Sequence, residues 1–199
     1  MSGDDIAVLD ALDARGMGLR VAFCRHGQRV AHRIALVAGA AVQWLLASVE
    51  GDSHEAFPPS PPLQQLAVEP LRDGRTAALL IGMAGRSHWS VSAESARSEP
   101  VVRFDVACRA RGVEPACLHS TYQVLCPWQL TPGGKAVDLR GQTGSVQLTA
   151  SADADCPTTL AVHAQRLVVG LDQLDDRPTH RWRYTLLLDP HPDAPSARP

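Results

Sequence analysis

Polar side chains that could carry out chemistry recur at every second position of two neighbouring segments, 88–94 and 103–109. They are His88, Ser90, Ser92, Glu94, Arg103 and Asp105. Residues two apart in an extended chain lie on one face of it. If the two segments pair as a hairpin around 95–100, Ser92 or Glu94 lies beside Arg103. In the same pairing Ser90 or Ser92 lies beside Asp105, and a polar ladder results.

The polar ladder is the candidate site of a small enzyme or ligand-binding protein, which His119 or His180 could join. An enzyme or ligand site requires a concave pocket in which at least three of these side chains point at one another, with shifted pKa values. A flat face on which each charge is paired with its neighbour indicates a binding or assembly module instead.

The segment VAFCRHGQ places Arg25, His26 and Gly27 directly after a strand. It resembles the opening motif of the histidine phosphatase and phosphoglycerate mutase superfamily. The resemblance implies that His26 accepts a phosphoryl group and that Arg25 holds the phosphate. That superfamily alternates strands and helices, whereas this segment runs into another strand, and no second histidine motif is present to protonate the leaving oxygen. A polar turn between two strands is the favoured interpretation.

Two pairs of side chains could contribute to a metal site: His88 with Glu94, and His163 with His180. Zinc or iron needs three or four converging donors, and the sequence has no HxH or HExxH spacing that would supply two from one element. Solvated or hydrogen-bonded histidines are therefore favoured, and neither a metal nor a cofactor is predicted. His32 lies on the apolar side of its strand and is predicted to be a core histidine.

Three cysteines, Cys108, Cys117 and Cys126, could supply a nucleophile. Cys108 and Cys126 align with apolar residues of predicted strands, and apolar burial raises the pKa of a thiol. Cys117 lies in a predicted loop near His119 and is the one candidate for a reactive thiol. The glycines of GMAG at 82–85 lack the lysine and the following helix of a phosphate-binding loop, and no GxSxG elbow accompanies the serines.

Composition limits the partners that the chain can have. Of its 199 residues, 45% are hydrophobic and 20% are charged, which is typical of a folded globular protein. A net charge of -2 provides no overall attraction to acidic membranes or nucleic acid, so neither is a predicted partner. A homo-oligomer or a protein partner remains open.

The expected location is the cytoplasm. Residues 1–16 lack the basic region and the apolar stretch of a secretory signal, and no later segment is apolar for long enough to span a membrane. The five cysteines are odd in number and include no CxxC pair, which is typical of reduced thiols.

Alternation of apolar and polar residues predicts extended structure through most of 18–188. Segment 75–109 reads as three consecutive strands joined by two turns, and it forms the centre of the predicted fold. Its third strand places Phe104 on one face and Arg103 on the other. The predicted fold is all-β, a single-domain antiparallel β-sandwich or flattened barrel of about 10–11 strands.

The ends of the chain are predicted to differ from this β domain. Residues 1–17 form an N-terminal segment that could include a short helix from Asp5 to Arg15, because apolar residues fall near helical spacing and Gly16 can end it. The last part, 189–199, is polar and rich in proline and is predicted to be a disordered tail.

Two further features lie within the β domain. Segment 51–62 contains four prolines in its last five positions, and it is predicted to be a loop that crosses between sheets, because proline cannot donate to a strand ladder. Segment 159–170 reads as one long strand whose alternation slips near Arg166, which suggests a bulge.

No catalytic set of residues emerges from these patterns. The sequence favours a non-catalytic cytoplasmic binding or assembly module, whose arginine-bearing strand faces contact a partner or a second copy of the chain. The alternatives are a small enzyme or ligand-binding protein with its site over the polar ladder, and a phosphotransfer enzyme that uses Arg25 and His26.

Overall fold

The computed structural model describes residues 5–52, 54–96, 98–111, 118–153, 155–171 and 173–189. These residues fold into two antiparallel sheets, which are not closed into a barrel, and no helix is present among them. The prediction of an all-β antiparallel fold is confirmed, and of its two forms the β-sandwich is the correct one.

The first sheet has seven strands. In spatial order they are β1 (Asp5–Leu12), β2 (Met17–His26), β3 (Arg29–Ala38), β4 (Ala41–Ser48), β9 (Leu118–Val124), β14 (Arg166–Leu171) and β13 (Thr159–His163). Its first four strands follow one another along the chain through short turns.

The second sheet has eight strands. In spatial order they are β10 (Trp128–Leu130), β11 (Ala136–Arg140), β12 (Ser145–Ala150), β15 (Thr179–Asp189), β8 (Val101–Arg109), β7 (Ser87–Ser95), β6 (Thr76–Ala84) and β5 (Leu63–Pro70). Strand β15 lies in the middle of this sheet, between β12 and β8, so the C-terminal part of the described chain is held on both edges.

The core lies between the sheets and is formed by the apolar side of each strand. Phe104 stacks on Tyr184 with ring centroids 4.9 Å apart, and Trp89 meets Trp182 edge to face at 6.2 Å. All four rings are buried, whereas Arg103 beside Phe104 is exposed. The predicted alternation in β8 therefore places the expected residue, Phe104, inside.

A polar network is buried within this apolar core. His32 Nε2 lies 2.9 Å from the Tyr122 hydroxyl, which lies 2.5 Å from the Tyr184 hydroxyl, and Trp182 Nε1 donates to Ser120 Oγ at 3.1 Å. Burial lowers the pKa of His32 to about 4, so the ring is neutral in the folded protein. His32 is thus a hydrogen-bonded core histidine, as the sequence predicts.

The prediction of a helix from Asp5 to Arg15 is wrong, because residues 5–12 form strand β1. Apolar residues in this segment fit helical spacing, but they also fit a strand, and β2 provides a partner in which Leu9 lies opposite Val21. Gly16 adopts a left-handed backbone conformation with φ 73° in the β1–β2 turn rather than ending a helix.

The described chain has fifteen strands rather than 10–11. One reason is that the predicted long strand over 159–170 is a hairpin, in which His163 pairs with Arg166 around a two-residue turn. Ala164 has a φ of 55° there, so the irregularity near Arg166 marks a reversal of direction and not a bulge. The short strand β10 was also not anticipated.

The proline-rich segment runs from β4 in the first sheet to β5 in the second, as a crossing loop must. Before it crosses, it runs along the edge of β9 beyond the point where the pairing of β9 with β4 ends. There Ser60 Oγ accepts a hydrogen bond from Thr121 N at 3.1 Å and donates one to Thr121 O at 2.9 Å. Of the predicted tail, Asp189 belongs to β15, and 190–199 lie outside the described residues.

Candidate binding surface

The predicted polar ladder lies on the outer face of the eight-stranded sheet, on β7 and β8. In the observed register Glu94 lies opposite Arg103, and Ser92 lies opposite Asp105. Ser90 pairs with Ala107. The hairpin therefore places one of the two predicted neighbours beside each charged residue of β8, and Ser92 Oγ donates to Glu94 Oε1 at 3.2 Å.

Both carboxylates of the ladder are held by arginines from outside it. Glu94 Oε2 accepts from Arg75 Nη1 at 2.5 Å. Asp105 accepts from Arg183 Nε at 2.9 Å and also from Arg181. The bond to Asp105 raises the pKa of Arg181. The acidic groups are thus engaged in ion pairs on the sheet surface, which is the arrangement expected of a contact face.

Arg103 differs from the other charged residues of the ladder. It is exposed on β8 and forms no ion pair with any described residue, although its strand neighbour is Glu94. An arginine that forms no ion pair within its own chain retains its capacity to bind a carboxylate from outside the chain. His88 is likewise exposed, at the end of β7 opposite Arg109.

An exposed apolar ridge runs beside the ladder along β6. It consists of Leu79, Ile81 and Met83, whose side chains are 45%, 53% and 47% exposed. The next positions across the sheet carry small side chains: Leu79 lies opposite Ser92, and Ile81 lies opposite Ser90. A ridge of large apolar side chains is thus bordered by a trough, here defined as Ser90, Ser92 and Ala107.

Two shallow concavities lie on this face. One has a volume of about 390 Å³ and is lined by four ladder residues, Ser92, Glu94, Arg103 and Asp105, together with hydroxyl-bearing residues of β12 and β15. The other has a volume of about 400 Å³ and is lined by Ser90 and Ala107 of the trough, by His88, and by the apolar ridge residues Ile81 and Met83. The ladder is therefore divided between two concavities rather than converging on one.

The two further histidines proposed for the ladder do not reach it. His180 is buried on the inner face of β15, with Nδ1 3.8 Å from Asp175 Oδ1. His119 belongs to β9 in the other sheet, and its Nδ1 lies 2.9 Å from the Pro59 carbonyl oxygen. Alternation in β15 assigns His180 to the same side as Trp182, so the inward position of His180 could have been predicted from the sequence.

The Arg25–His26–Gly27 segment forms the end of the β2–β3 hairpin. His26 pairs with Arg29, and Gly27 has a φ of 60° in the two-residue turn between them. Arg25 Nη1 donates to the Gln64 carbonyl oxygen at 3.0 Å, so its guanidinium links β2 to β5. His26 lines a surface concavity of about 710 Å³ with Arg29 and His54.

The described residues form neither a reactive thiol site nor a cluster of metal ligands. Cys24, Cys108, Cys126 and Cys156 are free thiols, and burial raises the pKa of Cys108 to about 12 and of Cys126 to about 11. Cys117 lies outside the described residues. Within the described ranges, no three His, Cys, Asp or Glu side chains converge as metal ligands would.

Comparison with known proteins assigns no family. The chain matches no protein-family model, and a search of curated proteins finds no match. Throughout the described part of the chain there is no helix with the length and apolarity needed to cross a membrane.

The apolar ridge is the feature of this surface that the sequence pattern left unassigned. Segment 76–84 is apolar on both of its faces, a pattern that usually indicates a strand covered on both sides. Here β6 is covered on its inner face only, where Leu80 is buried. A run of apolar residues without alternating polar ones, as over 77–81, is thus the signal that could have identified the ridge.

Proposed function

We propose that the protein is a non-catalytic binding or assembly module of the cytoplasm, and that it contacts its partner through the outer face of the eight-stranded sheet. The observation that carries this proposal is the exposure of Leu79, Ile81 and Met83 in one line on an uncovered sheet. Exposed apolar side chains that form a contiguous patch with a polar border are typical of protein contact sites.

The charges on this face support a contact surface over a catalytic one. Glu94 and Asp105 are bound by arginines, so neither carboxylate is free to act as a general base without losing an ion pair. Arginine is enriched at the centres of protein interfaces, where it contributes both a planar apolar surface and a charge.

Affinity capture from extracts of the organism that encodes the protein tests this proposal. Ile81→Asp should lower the recovery of at least one specific partner by about tenfold, because it places a charge in the apolar part of the contact. Val42→Asp is the matched control, since Val42 is 40% exposed on β4 of the other sheet. Equal recovery by both variants and the wild type would contradict the proposal.

A ligand-binding function is the second candidate. The 390 Å³ concavity favours it, because Arg103 there has no acidic partner among the described residues and hydroxyl groups of Ser92, Thr149 and Thr185 surround it. A screen of small polar ligands by thermal unfolding, repeated with Arg103→Ala, tests this candidate. A stabilising ligand that no longer acts on the variant would support it.

A further inference from the structure

We propose that the partner of this face is a second copy of the same chain, joined as a dimer by a two-fold axis that runs parallel to the strands, between β6 and β7. The inference rests on the proposed function and identifies the partner that binds to this face. Two independent features of the outer face, one apolar and one charged, lead to the same axis.

The apolar feature is the ridge beside the trough. A two-fold axis between β6 and β7 places β6 of one copy over β7 of the other. Leu79 then lies over Ser92 of the second copy, and Ile81 lies over Ser90 of the second copy. Because the operation is reciprocal, both ridges enter both troughs at once. Large side chains over small ones allow two sheet faces to approach closely.

The charged feature is a pair of unpartnered groups in one cross-strand row. Glu69 on β5, Ala77 on β6, Glu94 on β7 and Arg103 on β8 are successive neighbours in the register. Glu69 is exposed, and like Arg103 it forms no ion pair with any described residue. Three strand spacings separate the two residues, about 14 Å, so they are too far apart to pair within one chain.

The same axis brings these two charges together. The midpoint of the row between β5 and β8 falls between β6 and β7, so the two-fold operation carries β8 of one copy onto β5 of the other. Arg103 of each copy then faces Glu69 of its partner, and two ion pairs form per dimer. Opposite charges placed across an interface in this way select one orientation of the partner.

The size of the face is close to that of one side of a standard protein interface. Strands β5 to β8 cover about 19 Å across and about 30 Å along the strands, or roughly 600 Å² in projection. Accessible area exceeds projected area on a surface with side chains, so the face approaches the roughly 800 Å² per partner of a standard interface.

Sedimentation velocity of the full chain over a concentration series tests the dimer. The wild type should reach twice the monomer mass of 21.3 kDa. Glu69→Arg and Arg103→Glu should each weaken dimerisation by about tenfold, because each creates two like-charge contacts per dimer. The double variant Glu69→Arg/Arg103→Glu should restore the affinity to within about threefold of the wild type, because the two charges are exchanged.

The control and the contrary outcomes separate the two proposals. Val42→Asp on the other sheet should leave the dimer intact, and thermal unfolding of every variant checks that it is folded. A wild type that stays monomeric, or a double variant as weak as the single ones, would overturn the dimer. If the chain is monomeric but still loses a captured partner in Ile81→Asp, the proposed function stands and the second copy is the wrong occupant.

Discussion

One buried carboxyl group, Glu50, should make the stability of this protein depend on pH. Its side chain lies just beyond β4 and is 6% exposed. Ser48 Oγ donates to Glu50 Oε1 at 2.5 Å, whereas Oε2 is buried without a hydrogen-bond partner. Burial disfavours the ionised form and raises the pKa of Glu50 to about 7, although Arg29 nearby opposes the shift.

Replacement of this residue by an uncharged isostere, Glu50→Gln, isolates the effect. A carboxyl whose folded pKa exceeds its unfolded pKa stabilises the fold at low pH and loses that contribution as the pH rises through the folded pKa. The window here extends from about 4.5 to about 7. With about 1.4 kcal/mol per pKa unit, the cost of Glu50 grows from about 1 kcal/mol at pH 5 to about 3 kcal/mol at pH 8.

The assay is urea unfolding of the wild type and Glu50→Gln at several values between pH 5 and pH 8. Glu50→Gln should gain about 2 kcal/mol of stability over the wild type across this range, because glutamine does not ionise. His32, whose pKa burial lowers to about 4, acts in the opposite direction and destabilises the fold as the pH falls below 6.5. It is present in both proteins, so its contribution cancels in the difference.

The matched control is Glu99→Gln, which removes the same charge from an exposed position. Glu99→Gln should keep the pH dependence of the wild type, because Glu50 is unchanged in it. A constant difference for Glu50→Gln as well would refute the reasoning, because it would mean that Glu50 ionises in the folded protein as readily as in the unfolded chain.

Two further changes test the core and one turn. Tyr122→Phe should destabilise the protein by about 2 kcal/mol in urea unfolding, because His32 Nε2 and the Tyr184 hydroxyl lose a shared buried partner; an unchanged midpoint would show that the network is not formed. Ala164→Gly should stabilise or leave unchanged the unfolding midpoint, because Ala164 has a φ of 55°, whereas Ala161→Gly within β13 should cost about 1 kcal/mol. Equal losses for both would contradict the left-handed turn.

Much of the sheet could be predicted because burial and residue type repeat every two positions. In β8 the polar residues Arg103 and Asp105 were assigned outward, and the register then placed Glu94 and Ser92 opposite them. The first strand was missed because its apolar residues fit both helical and strand spacing. Only the presence of β2 as a partner decides between the two, and that pairing is a property of the folded chain.

The candidate surface was predicted in part. The ladder lies on one outer face, as expected. The arginines that bind its carboxylates come from outside β7 and β8: Arg75 from the turn before β6, and Arg183 from β15. Arg183 is 78 residues from Asp105 along the chain, and no local sequence pattern predicts that β15 lies next to β8. Local alternation specifies a face, whereas strand order specifies the neighbours across it.

Side-chain alternation in the sequence alone determines that this chain is extended and which residues of most strands are buried, because a strand can bury only one face against one partner layer. It does not determine that β6 is left uncovered, or that Glu69 and Arg103, 34 residues apart, fall in one row. Both depend on the order and register of four strands, β5 to β8, in one sheet. Those are settled by the packing of the two sheets as a whole, since each strand can satisfy its own pattern beside many different neighbours.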